Sequence, residues 1–354
     1  MEISSQLSAI RRKQRTVIAA LAAGTVLLSF VCLMIGSSGM TVRECFRALA
    51  KHGSAAQVRI IWNIRIPRVL AAILAGAGLS VSGLAMQTCL NNPMASPSTL
   101  GVSNAAVFGA NLSIIAFAGG FLSTGSNPAN YTSGMNPYAA SLMAFCFSAA
   151  SIFLILGLCR LRDYSPGTVV LAGIAAGSVW TAATTILQFY ATDVGLSAAV
   201  IWSFGDLGRA TYRTDLIMAA AVAAGTAYFQ VMSWKLNALL GGDAAAKSLG
   251  VHVSLLRFAS MLAASLITAV CVSFLGVIGF VGIICPHVLK RLVGQDHRVT
   301  IPATALAGSV LLLFSDTVSR SLGGGSALPV GAVTSLLGAP FFLAILFGRK
   351  EESF

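Results

Sequence analysis

The motif Arg65-Ile66-Pro67-Arg68 sets two guanidiniums on either side of an isoleucine–proline pair. Proline fixes its own φ and biases Ile66 away from helix, so both arginines are expected at the start of a helix, held in place. Such a pair suits bidentate recognition of carboxylates. It belongs to a basic stretch with Arg43, Arg47, Lys51 and Arg59, set against the lone acid Glu44, and that surface invites an acidic partner. Arginines snorkelling to lipid headgroups are the competing reading of the same residues. Asp316 and Arg320 stand four apart, on one face of a helix. They pair with each other, or Arg320 faces the same partner as Arg65 and Arg68; the spacing fits both roles.

A further polar cluster runs from Leu239 to Val251 and reads Gly241-Gly242-Asp243-Ala244-Ala245-Ala246-Lys247-Ser248-Leu249-Gly250 at its centre. An acidic N-cap at Asp243, an i,i+4 pair with Lys247 and a glycine stop at Gly250 predict a short helix. A helix this short is marginal alone in water, so it rests on its own bundle or on a partner.

Covalent chemistry finds no footing. The chain has no Gly-x-x-x-x-Gly-Lys-Ser/Thr, no Gly-x-Ser-x-Gly and no His-Glu-x-x-His. His52, His252, His287 and His297 lack metal-ligand spacing, and the seven cysteines are scattered, mostly inside apolar runs, as small hydrophobes. No enzymatic centre is indicated by these residues.

The elements that position these residues are membrane spans. From Phe258 to Leu289 there is no formally charged side chain, and the 354 residues are 56% hydrophobic and 10% charged, with a mean hydropathy of +0.83. A bilayer core of about 30 Å takes about 20 apolar residues per helix, because each backbone polar group must be satisfied within the segment. Uncharged runs between turn signals predict ten spans: 16–36, 68–90, 100–121, 138–159, 168–190, 215–234, 257–277, 280–292, 301–322 and 330–348. The run after Arg11, Arg12, Lys13 and Arg15 is long for a signal peptide and reads as a retained first helix. An even number of spans puts both termini on one side. With that side cytoplasmic, 14 of the 23 basic residues fall inside, so orientation accounts for most of the +12 charge and nucleic acid is not implied. The 280–292 segment is short and contains Pro286; with Gly276, Gly279 and Gly282 it is a broken helix lining a cavity or a glycine packing seam. Ala72, Gly76 and Ser80, then Gly173 and Gly177, have the four-residue spacing of close helix packing.

Taken in order, further motifs single out a family. They are Arg65 to Arg68; Gly83 to Gln87 with Asn91-Asn92-Pro93-Met94-Ala95 and Leu100-Gly101-Val102-Ser103; Leu171-Ala172-Gly173; and Gly241 to Val251. Then follow Gly279-Phe280-Val281-Gly282 with Pro286-His287; Asp296-His297-Arg298; and Leu328-Pro329-Val330-Gly331 leading to Gly338-Ala339-Pro340-Phe341-Phe342. From about Arg65 to Gly348 the chain resembles the FecCD-type permease subunits of bacterial ABC importers for iron-siderophores, haem and cobalamin.

The resemblance implies an all-α, ten-span bundle in the bacterial cytoplasmic (inner) membrane, with both termini cytoplasmic. Residues 1–15 and 349–354 would be cytoplasmic tails and 16–348 the permease domain. A second permease subunit, identical or paralogous, would complete a translocation path at the dimer axis, with membrane lipid around it. Two cytosolic ATPase subunits would use ATP and Mg, and one extracytoplasmic solute-binding protein would deliver the substrate; this chain would bind no cofactor. Segment 239–251 would be the coupling helix, with Gly242, Asp243, Ala246, Lys247, Leu249 and Gly250 at the ATPase. Arg65, Arg68 and Arg320 would dock carboxylates of the binding protein. Gln87, Asn92, Met94, Ser165, Pro166 and Gly167 would form the gate, and Val81 to Leu90 would line a wide path. The sequence departs from the family at Met94, where leucine is common, at Ala327, where glutamate is frequent, and at Pro166 and Gly167. An iron complex is the expected substrate, with cobalamin the alternative. An ion-coupled secondary transporter would need more intramembrane acids than Asp316.

Overall fold

The computed structural model describes residues 2–36, 39–117, 137–322 and 327–347. Among the described residues, seven helices are long and apolar enough to cross a membrane: Ser8–Met34, Ala55–Cys89, Tyr138–Arg160, Pro166–Phe189, Tyr212–Val231, Val253–Leu275 and His297–Leu322. Val102–Phe117, Val281–Val293 and Val330–Phe347 are shorter and occupy the positions of the other three expected spans. The ends of spans 100–121 and 330–348 and the tail 349–354 lie outside the described residues. The basic N-terminal stretch is helical and continuous with the first span, since one helix runs from Glu2 to Met34. Asp193–Ser203, capped by Thr192, is a helix that the span pattern did not indicate.

Helix Ile66–Cys89 is the hub. Its face of small residues admits neighbouring backbones that larger side chains would hold off. A Cβ on Gly83 would collide with the Gly282 carbonyl, and one on Gly76 with that of Gly308. Serine hydroxyls tie the same seams: Ser80 donates to Thr304 O and Ser309 to Ile73 O, both at 2.9 Å. Gly282 is thus a packing residue. Gly276 makes the break, with φ +78 and a backbone approach to Trp202 and Gly205 that leaves no room for a side chain.

The proline motif departs from expectation. Ile66 is helical at φ −63, ψ −51, and the chain passes from Ala55–Ile60 through a π-helical turn, Ile61–Arg65, into Ile66–Cys89 without an interruption. The wider turn, in which Ile66 N–H reaches back to Ile61 O, accommodates the ring of Pro67 and its missing donor.

The bundle has two polar ends. Gln14 donates to Val293 O at 2.8 Å, which puts the start of the first span beside the end of Val281–Val293. Residues 237–257 and 296–297 gather at this end through Asn237–His297 and Asp243–Arg257 contacts. At the other end Arg320 reaches Cys32 O and Ile35 O, and the short helices Val42–Leu49 and Ala55–Ile60 sit there on capping boxes from Thr41/Glu44 and Ser54/Gln57.

Candidate functional site

At the arginine end a single carboxylate organises the cluster. Asp316 is fully buried, accepts from Arg68 Nε at 2.8 Å, and has Arg320 Nη2 at 2.9 Å from its second oxygen as an ion pair without hydrogen-bond alignment. Arg68 also stands 3.8 Å from Asp206, and Arg320 Nη1 donates to Cys32 O at 2.8 Å and Ile35 O at 2.6 Å. Arg65, only 4% exposed, donates to Leu33 O, to Met34 O at 3.2 Å and to Cys45 Sγ at 3.5 Å. The carbonyls of Cys32, Leu33 and Met34 among these acceptors are orphans at the end of helix Glu2–Met34, whose own last turn has no basic residue. Arg65, Arg68 and Arg320 are therefore brought together, as the sequence suggested, but turned inward instead of presented outward. Asp316 serves both Arg320 and Arg68. The exposed cations at this end include Arg43, Arg47, Lys51, Arg59 and Arg213, the last beside Tyr212, whose hydroxyl donates to Trp62 O.

At the opposite end, helix Asp243–Ser248 is framed by two left-handed glycines, Gly242 at φ +88 and Gly250 at φ +79. Gly242 is the N-cap residue and Asp243 the first helical one. The expected Asp243–Lys247 pair gives way to a tertiary one: Arg257 Nη1 and Nη2 grip the Asp243 carboxylate at 3.0 and 2.7 Å. A hydrogen bond from Arg257, reinforced by its charge, holds the Asp243 carboxyl below the ordinary carboxylate value. Ala246 is fully buried and roots the helix, while Gly242, Lys247, Leu249 and Gly250 face outward, Leu249 with 65% of its surface exposed.

The gate residues divide. Gln87 is buried; its amide donates to Gly282 O and Ile283 O at 3.3 Å each, and its oxygen accepts from Lys290 Nζ at 3.2 Å. Asn92 accepts from Met94 N–H at 2.9 Å across a turn entered through Asn91 at φ +44, leaving Met94 exposed. Ser165 precedes helix Pro166–Phe189 and its hydroxyl is 2.7 Å from that of Thr168. Both turns abut the start of Val253–Leu275, one through Arg257 and Cys89, the other through Tyr164, whose ring lies 5.7 Å from that of Phe258 at a tilt of 52°. Gly167 has open space around it. The stretch from Val81 to Leu90 does not line a path, because every one of its side chains is packed inside the subunit. Small polar residues instead line a cavity of about 420 Å³ between Ser98–Asn104 and helix Pro166–Phe189, including Thr99, Asn104, Ser178 and Thr181.

Sequence reasoning missed three groups at this end, Arg257 and His297 buried and Lys290 half-buried. Arg257 donates through Nε to Cys89 O at 2.6 Å; His297 joins Thr88 and Asn237; Lys290 holds Gln87. Arg257 and Lys290 were visible as the charges that bound the long uncharged run, but their inward aim depends on tertiary structure.

A multi-span bundle of small-residue seams, with an exposed helix at one end and a basic surface at the other, defines a membrane-embedded transport subunit. Residues 24–348 match the FecCD transport family. The chain is 46% identical over 321 residues, 90% of each sequence, to the ABC transporter permease protein MJ0087 of Methanocaldococcus jannaschii. It is 34% identical to the hemin transport system permease protein HmuU of Yersinia pestis, covering 93% of this chain and 96% of that one. With the vitamin B12 import system permease protein BtuC of Escherichia coli it shares 35% identity over 82% of this chain and 84% of the other. A metal-chelate type ABC transporter in an inward-facing conformation superposes with a TM-score of 0.80 at 26% identity, over 95% of this chain and all of the other. The chain belongs to the FecCD transport family and is an ABC transporter permease.

Proposed function

We propose that this permease carries an iron complex, a siderophore chelate or haem, into the bacterial cytoplasm, driven by two partner ATPases that use ATP and Mg. The observation that carries the reading is the family match over residues 24–348, together with an exposed short helix clamped to the bundle by Arg257. In this reading the 239–251 end is cytoplasmic and Gly242, Lys247, Leu249 and Gly250 meet the ATPase. The arginine end faces outward to a solute-binding protein. A second permease subunit packs against Pro166–Phe189, which is largely uncovered in the single chain, and the cavity beside it contributes to the path. Asn92, Met94 and Ser165 to Gly167 border the inner gate, with Gln87 bracing it from within. Since Arg65, Arg68 and Arg320 are engaged internally, first contact with carboxylates of the binding protein falls to Arg43, Arg47, Lys51 and Arg59, and the inner three set the shape behind them.

The test is uptake into proteoliposomes holding the permease, its ATPases and the binding protein. ATP-dependent accumulation of ferric siderophore or haem is expected. Accumulation of cobalamin alone would move the assignment to the vitamin, and no accumulation of any of the three would sink it. For the docking surface, Arg43→Glu with Arg59→Glu should weaken binding-protein affinity roughly tenfold in low salt without loss of folding. Unchanged affinity would return the docking role to the buried three.

A further inference from the structure

Two polar links run from the exposed 239–251 segment and its flank to adjacent residues of the hub helix. Asp243, at the head of the short helix, is held by both terminal nitrogens of Arg257, whose Nε donates to Cys89 O. Asn237, just before the segment, lies with its Oδ1 at 2.7 Å from His297 Nδ1, and His297 Nε2 is 2.8 Å from Thr88 Oγ1. Arg257 is 4% exposed and His297 fully buried. Thr88 and Cys89 close the Ile66–Cys89 helix, and the next residues turn through Asn91 into Asn92 and Met94. The Cys89 carbonyl is one of the orphan acceptors at a helix C-terminus, where a cation is favoured by the helix dipole as well.

We propose that Arg257, seconded by His297, is a positioning residue that carries movement of the 239–251 segment into the Thr88–Met94 turn. The inference rests on the permease reading. A guanidinium is a planar, rigid fork, so a shift of Asp243 is passed to Cys89 instead of being absorbed by rotation of the side chain. The surrounding core is close-packed, which makes neighbouring elements move together between discrete arrangements. Lysine, with one nitrogen, cannot hold a carboxylate and a carbonyl in the same geometry.

Arg257→Lys and Asp243→Asn are to be compared with the parent in the full complex, in proteoliposomes with ATPases and binding protein. Hydrolysis is expected to continue with unchanged half-saturation by ATP, while substrate moved per ATP falls roughly tenfold. Hydrogen–deuterium exchange supplies a second readout. ATP should alter exchange of the 89–95 turn in the parent but not in the variants, while its effect on 243–249 persists in both. A purely structural role would lower hydrolysis and transport together and leave their ratio intact. An unchanged ratio with ATP-sensitive exchange at 89–95 in Asp243→Asn would overturn the proposal; that side chain is 48% exposed and Arg257 keeps its bond to Cys89 O, so this variant disturbs packing less than Arg257→Lys. A parent complex that fails to assemble would overturn the permease reading itself, and this link with it.

Discussion

Asp316 is the residue on which the arginine end turns. Its one carboxylate balances two buried guanidiniums, and removing one member of such a cluster leaves uncompensated charge in a low-dielectric site. Asp316→Asn should cost about 3 kcal/mol of stability, seen as a lowered melting temperature of the detergent-purified protein. An unchanged melting temperature would mean that the arginines are neutralised elsewhere. By the same geometry, Arg65→Glu with Arg68→Glu should damage folding before docking. The i,i+4 spacing made the Asp316–Arg320 pair legible in the sequence, whereas Arg68 enters from 248 residues away. Asp243 shows the opposite case: its local partner Lys247 was legible, and a tertiary arginine displaced it. For Asp243 the pH dependence has a definite sign. Its folded pKa lies below 3.8, so the carboxylate's contribution is complete above that value and fades only as pH falls through the lower one. Substrate moved per ATP should therefore be flat from neutral pH down to the ordinary carboxylate range. A decline starting well above that range would assign the link to another group.

Among elements, the glycine seams carry the sharpest expectation. Gly83→Ala drives a methyl into the Gly282 carbonyl and should destabilise by about 2 kcal/mol through forced separation of two helices. Gly167→Ala meets nothing within 4 Å and should leave stability level or raise it by about 0.5 kcal/mol. Thermal unfolding of the two variants side by side measures the difference, and equal behaviour would contradict the seam. Four-residue spacing of small residues announced a close-packed bundle, and the structure supplies the pairing: Gly76 with Gly308, Gly83 with Gly282, Gly173 with Leu100. The pairing was illegible because any small face can meet any other. Asp193–Ser203 went unseen for a related reason. At 11 residues it is too short to span, and Asp193 and Asp206 bound a run of only 12 uncharged residues around it. The proline motif misled because a π turn relieves a constraint that a plain α-helix would have obeyed.

At the scale of the molecule, apolar run length was enough for the class of fold, and the order of motifs was enough for the family. The hub position of Ile66–Cys89 was not readable, since burial on all sides and exposure to lipid leave the same apolar signature. That ambiguity put Val81 to Leu90 on a path when they belong to the core. The central claim is that the polar ends face opposite sides of a membrane, one receiving force and the other receiving the loaded carrier. Single cysteines at Ser254 and Arg47, in a chain with the exposed Cys146 replaced by serine, test it with a membrane-impermeant maleimide on intact cells and on inverted vesicles. Ser254→Cys should label only in inverted vesicles and Arg47→Cys only on intact cells. Labelling of both from the same side would contradict the account.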